Sequence, residues 1–88
     1  MTTGKTSTGF EYQLEDGVFD DYELLEVLRE IDKGESGKIV DMVNIMFPKE
    51  QKEALKNHVR EENGKVPASK LIKEVMEIFN NEKEGKNF

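Results

Sequence analysis

The chain has 88 residues, enough for one small domain that buries somewhat over roughly 60% of the surface its unfolded chain exposes. Hydrophobic residues make up 35% and charged residues 36%, which favours one thin core under a charged surface over a deep enclosed pocket, and the lack of cysteine removes disulfides and thiolate chemistry. The formal net charge is -6: residues 1–44 carry 4 basic and 11 acidic side chains (net -7) and residues 45–88 carry 9 and 8 (net +1), so the clustered cations that phosphate binding needs are missing and nucleic acid is not an expected partner.

Residues 1–8, MTTGKTST, hold no large apolar side chain after the initiator and are expected to form a mobile tail. The Gly4-Lys5-Thr6 triplet lacks the upstream glycine and the preceding strand of a phosphate-binding loop. From Phe10 the period becomes two: Phe10, Tyr12 and Leu14 alternate with Glu11, Gln13 and Glu15, as in a strand with one buried face. Asp16-Gly17 offers a tight turn, from which Val18-Phe19 can return as a short second strand.

Asp20 or Asp21 then supplies an N-cap, and Glu23 stands three residues after Asp20 in the spacing of a capping box. The helix that follows places Tyr22, Leu24, Leu25, Val27, Leu28 and Ile31 in a wide apolar stripe against Glu23, Glu26, Arg29 and Glu30. A glycine-containing loop, 33–37, separates it from a second helix at about 38–47. There Asp41 and Asn44 alone interrupt the apolar residues, a composition suited to a central core helix or to an interface.

Pro48 opens a third helix to about Arg60, in which only Ala54, Leu55 and Val59 are apolar. His58 is the one histidine, so neither a His/Cys metal site nor a nucleophile paired with a second histidine can be assembled, and it reads as a partly exposed helix residue. Residues 61–64 end that helix with Asn63 or Gly64 in the left-handed region, and Pro67 starts the last one. Leu71, Ile72, Val75, Met76, Ile78 and Phe79 recur there at helical spacing, with Lys70, Lys73, Glu74 and Glu77 outward. This helix and the first are expected to carry most of the hydrophobic stabilisation, at about 1.5–3 kcal/mol per fully buried large side chain. The pattern fades after residue 80.

The expected architecture is therefore mainly α: a small bundle of about four helices with an N-terminal β-strand or hairpin. Residues 1–8 form a tail, 9–80 one domain and 81–88 a flexible end, with Phe88 incidental. No apolar run approaches the roughly 20 residues of a membrane span, and no basic-then-apolar leader opens the sequence, so a soluble intracellular protein is expected. Carboxylates are plentiful but do not form a site. Asp16, Asp20 and Asp21 lack the alternating ligands and late glutamate of a calcium loop, and a core this thin offers no cleft to shift a catalytic carboxyl. No enzyme activity, cofactor or metal is expected.

Three segments together carry a resemblance: Thr8-Gly9-Phe10-Glu11-Tyr12, the acidic turn into Asp20-Asp21-Tyr22-Glu23-Leu24-Leu25, and Glu62-Asn63-Gly64-Lys65-Val66-Pro67 before a helix ending Met76-Glu77-Ile78-Phe79. In these the chain resembles the tail assembly chaperones of long-tailed phages and prophages of Gram-positive bacteria, with Asn63 standing where that family usually has an acidic residue. The resemblance implies a protein of the host cytoplasm, absent from the mature virion, that keeps the tape measure protein soluble until tail tube subunits polymerise around it. It also implies a longer frameshifted form able to meet the tail tube protein, for which Gly85-Lys86-Asn87 admits a slippery run of adenines, and it is compatible with a homo-oligomer. A holder of a helical client needs an apolar groove with a charged rim. The candidate partner-binding residues are Phe10, Tyr12, Phe19, Tyr22, Met42, Ile45, Met46 and Phe47, each with intramolecular core as its competing role. Two other roles remain open, a small structural or adaptor subunit of the virion and an acidic regulatory protein of a prophage.

Overall fold

The structure, a computed structural model, describes residues 1–85; the expectations for Lys86, Asn87 and Phe88 lie outside the described residues. Two strands, β1 (Thr2–Lys5) and β2 (Glu11–Leu14), precede four helices: α1 (Tyr22–Asp32), α2 (Ile39–Met46), α3 (Lys49–Val59) and α4 (Ala68–Gly85). The fold is mainly α with an N-terminal antiparallel hairpin, in agreement with the class read from the sequence.

The hairpin is built differently from the expectation. Residues 1–8 do not form a tail: β1 pairs antiparallel with β2 in the register Thr2↔Leu14, Thr3↔Gln13, Gly4↔Tyr12 and Lys5↔Glu11. The hairpin reverses at 6–9, where the Thr6 amide donates to the Phe10 carbonyl and the Gly9 amide to the Thr6 carbonyl. β1 satisfies one backbone edge of β2 without adding a large apolar side chain. Its contribution to packing is the bare Gly4: a Cβ at Gly4 would collide with the ring and hydroxyl of Tyr12, which lie across it. Such a strand has no hydrophobic signature to find.

Asp16-Gly17 does turn the chain, with Gly17 at φ 85°, but Val18–Asp20 continues as a single 3-10 turn rather than a strand and drops Phe19 into the core. The terminal ammonium of Met1 and the Thr2 hydroxyl both reach the Asp16 carboxylate at 3.3 Å, closing the open end of the hairpin. Of the two candidate caps, Asp21 is the one used, its Oδ1 accepting the Glu23 amide at 2.8 Å. Glu23 is then the second helical residue, one position short of a capping box.

α1 buries less than its wide stripe suggested. Leu24 is fully enclosed and Val27, Leu28 and Ile31 pack at the core margin, whereas Tyr22 and Leu25 face solvent. Most of the enclosed surface comes instead from Phe10, Tyr12 and Leu14 of the β2 arm and from Met42, Val43, Met46 and Phe47, so α2 is the central core helix. Phe47 takes the extended conformation (φ -120°, ψ 132°) that the following Pro48 favours, and Pro48 occupies the N-cap position of α3 rather than its first turn. Gly64 takes the left-handed conformation (φ 86°) in the turn after α3. α4 contributes Val75 and Ile78, sets Phe79 edge-on to Phe19 with ring centres 5.5 Å apart, and continues to Gly85, beyond the expected end near residue 80. No described helix is long and apolar enough to cross a membrane.

Candidate functional site

Six of the eight candidate partner-binding residues belong to the folded interior. Phe10, Tyr12, Phe19, Met42, Met46 and Phe47 are each at most 6% exposed, and they pack with Leu14, Leu24, Leu55, Val75 and Ile78 in one cluster. They fill the space between hairpin and helices, so a partner cannot reach them without unfolding the chain. Tyr22 stands on the outer face of α1, 73% exposed. Ile45 is half-buried at the floor of a groove of about 430 Å³ between α1 and α2, walled by Glu23, Glu26, Glu30 and Asp41 with Lys38.

The apolar groove lies on the other side of α2. It encloses about 550 Å³ between α2, α3 and the start of α4, lined by Ile39, Val40, Val43, Val66, Leu71 and Ile72, with Lys52 and Lys56 as its charged residues. Val40 is 65% exposed, a large apolar side chain left at the lip. Lys56 reaches Glu53 at 3.1 Å, which holds the Glu53 carboxyl below its ordinary range, and Lys52 donates to Asn44 Oδ1 at 3.0 Å. Val40 was legible in the sequence: it stands one turn before Asn44 and beside Asp41, the polar interruptions that mark the outward face of α2. Leu71 and Ile72 were visible as apolar but carried no sign that they border an opening.

A polar seam joins the hairpin to α3 and α4. Thr6 Oγ1 and Thr8 Oγ1 each donate to Glu74 Oε1 at 2.8 Å, and the Phe10 amide donates to Thr6 Oγ1 at 3.1 Å. Glu74 is 4% exposed. Ser7 bonds Glu77 through its amide and its hydroxyl, and Tyr12 Oη donates to Glu82 Oε2 at 2.7 Å. Desolvation, followed by the hydrogen bond and negative charge of Glu82, pushes the Tyr12 phenol up to about 12.

Thr8 Oγ1 also lies 2.9 Å from His58 Nε2, in a groove of about 840 Å³. With the Thr8 hydroxyl donating to Glu74, its oxygen is left as an acceptor facing His58 Nε2. The carboxylate likewise binds the hydroxyl rather than the second imidazole nitrogen, unlike the order that activates a nucleophile. The arrangement fastens the turn at 6–9 to both helices, and the Phe10 ring packs against the same imidazole at a tilt of 49°, with ring centres 5.3 Å apart. The expectation that Glu74 points outward does not hold: it follows Leu71 by three residues and precedes Ile78 by four, which puts it over the core. Among the described residues no group of three His, Asp or Glu side chains is arranged to hold a metal ion.

No family model, curated protein or solved structure matches this chain.

Proposed function

We propose that the chain is a non-catalytic phage tail assembly chaperone whose apolar groove between α2, α3 and α4 receives a helical segment of the tape measure protein. The observation that carries this reading is the groove itself: an aliphatic floor open to solvent, a large exposed side chain at its lip and lysines at its edge. An amphipathic helix presents apolar residues at i, i+3, i+4 and i+7, and such a stripe fits a groove floored by Ile39, Val43, Leu71 and Ile72. Lys52 and Lys56 suit acidic residues beside that stripe. The buried aromatics then support the fold, and the client-contacting set moves to the groove.

In this role the protein works in the cytoplasm of the host and leaves the tail before maturation, with a longer frameshifted form linking the client to the tail tube protein. Co-expression with the tape measure protein tests it. The wild-type chain should raise the soluble fraction of that client, and Val40→Glu, which places a charge at the lip without touching the core, should abolish the gain. Equal client insolubility with and without the chain would refute the proposal. Recovery of the chain in purified particles by mass spectrometry would favour a virion subunit instead.

A further inference from the structure

The turn between α3 and α4 runs Glu61-Glu62-Asn63-Gly64-Lys65, with every residue exposed. Its geometry singles out Asn63. The Lys65 amide donates to Asn63 Oδ1 at 2.9 Å, an Asx turn in which side chain and main chain close a hydrogen-bonded ring. That ring contains Cγ, Cβ, Cα and the carbonyl carbon of Asn63 and the amide nitrogen of Gly64, which are the atoms of a succinimide. The hydrogen bond therefore folds the side-chain amide back along the peptide bond that follows it, and it aims an N–H at the oxygen on which negative charge would develop. Gly64, at φ 86°, leaves its nitrogen unshielded: it has no Cβ, and the space a Cβ would take is open. One contact opposes attack by that nitrogen, its bond to the Glu61 carbonyl at 2.9 Å, which must open first. The other asparagines of the described residues, Asn44, Asn57, Asn80 and Asn81, lie inside α2, α3 and α4, where helical hydrogen bonds hold the backbone nitrogens in place.

We propose that Asn63 is a site of spontaneous covalent modification, where the chain converts a side-chain amide to an acid without an enzyme. The Gly64 nitrogen gives its proton to solvent base and attacks Asn63 Cγ. A C–N bond forms, the oxyanion on Oδ1 is met by the Lys65 N–H, and the Cγ–Nδ2 bond breaks with Nδ2 protonated and released as ammonia. Water then opens the succinimide. Addition at Cγ gives an aspartyl residue in the ordinary chain, and addition at the backbone carbonyl carbon gives an isoaspartyl residue whose chain runs through Cβ. In sum one water is consumed and one ammonia released, with no change of oxidation state. Either product adds a negative charge near Arg60, whose guanidinium already donates to the Gly64 carbonyl at 2.7 Å. The isoaspartyl product also lengthens the backbone by one carbon, which disturbs the register of the bond from the Glu61 amide to the Lys65 carbonyl. Val66 and Ala68, which line the α2/α3/α4 groove, follow this turn, so the modification loosens one wall of that groove whatever occupies it.

The test is incubation of the purified full chain in warm, mildly alkaline buffer, sampled over days. Trypsin releases residues 61–65 as one peptide, in which mass spectrometry reads the change from amide to acid and isoaspartyl methyltransferase labels the isoaspartyl product. Asn63 should be the first asparagine lost, with ammonia released in equal amount at early times, and its rate in the folded chain should be no lower than in the same chain unfolded in urea. Gly64→Ala should slow the loss by about tenfold or more, an added barrier of at least about 1.4 kcal/mol. The comparison of folded with unfolded chain uses wild type alone, so it decides the matter even where Gly64→Ala fails to fold by circular dichroism. An Asn63 that stays intact in the folded chain while the unfolded chain reacts, or earlier loss at another asparagine, overturns the proposal. An unchanged rate in a folded Gly64→Ala chain overturns it equally. None of these outcomes depends on the tape measure protein, so the proposal can fail without the chaperone reading failing.

Discussion

Tyr12 offers a direct check on how the hairpin is held. Its phenol is 2% exposed and donates to Glu82, and its pKa is pushed from 10.0 to about 12. A phenol whose folded pKa lies above its unfolded value stabilises the fold while it stays protonated. That contribution is therefore fully present below pH 10 and disappears as pH rises from 10 to 12. Two pKa units correspond to about 2.7 kcal/mol, of which about 1.4 kcal/mol is lost by pH 11. Lysines also titrate in this range, so the informative quantity is the difference between wild type and Tyr12→Phe, measured by urea denaturation at pH 8 and pH 11. At pH 8 the variant should be less stable by about 1 kcal/mol, since half-buried Glu82 can recover water. By pH 11 most of that gap should have closed or reversed. Absorbance at 295 nm gives an independent reading, because the tyrosinate signal missing in Tyr12→Phe should be the component that appears near pH 12. A gap that stays constant between the two pH values would show that the phenol is neither desolvated nor bound to Glu82.

Other consequences follow from the same contacts. Gly4→Ala should destabilise by about 1–3 kcal/mol in urea, because a methyl group there collides with the ring that Glu82 and the core hold in place. Glu74→Ala removes the acceptor shared by Thr6 and Thr8; it should cost about 2–4 kcal/mol and should raise amide exchange in the turn at 6–9 before the helices are affected. Asp21→Ala should cost about 1 kcal/mol through loss of the α1 cap, read as a lowered melting temperature. Val40→Glu should leave stability within about 0.5 kcal/mol of wild type, which makes it a clean probe of the groove.

How much of this was legible depended on the kind of signal each element carries. The four helices announce themselves through apolar residues at helical spacing and through Asp21, Gly34, Pro48, Gly64 and Pro67 at their ends. β1 does not, because its role is backbone pairing and a missing Cβ at Gly4, neither of which adds hydrophobicity. Periodicity likewise shows that a residue is apolar without showing whether something covers it. Phe10 and Tyr12 read equally as partner-binding or core residues and are enclosed by packing between elements distant in sequence, while Leu25 reads as part of the apolar stripe and is exposed. Glu74 carries the charge of an outward residue, although its spacing from Leu71 and Ile78 sets it over the core. The groove could not be read from the sequence in the same way, since it arises where the start of α4 meets α2 and α3.

The proposed docking of a tape measure helix in the groove between α2, α3 and α4 is open to measurement at the residues that line it. The most direct measurement is an amide shift map of the isotope-labelled chain, kept dilute, as an amphipathic segment of that protein is added. Saturable shifts should concentrate at Val40, Val43, Lys52, Leu71 and Ile72 and should be absent when the labelled chain carries Val40→Glu. Shifts that spread through the buried aromatics Phe10, Tyr12 and Phe19 and leave the groove unchanged would contradict it, as would the absence of binding.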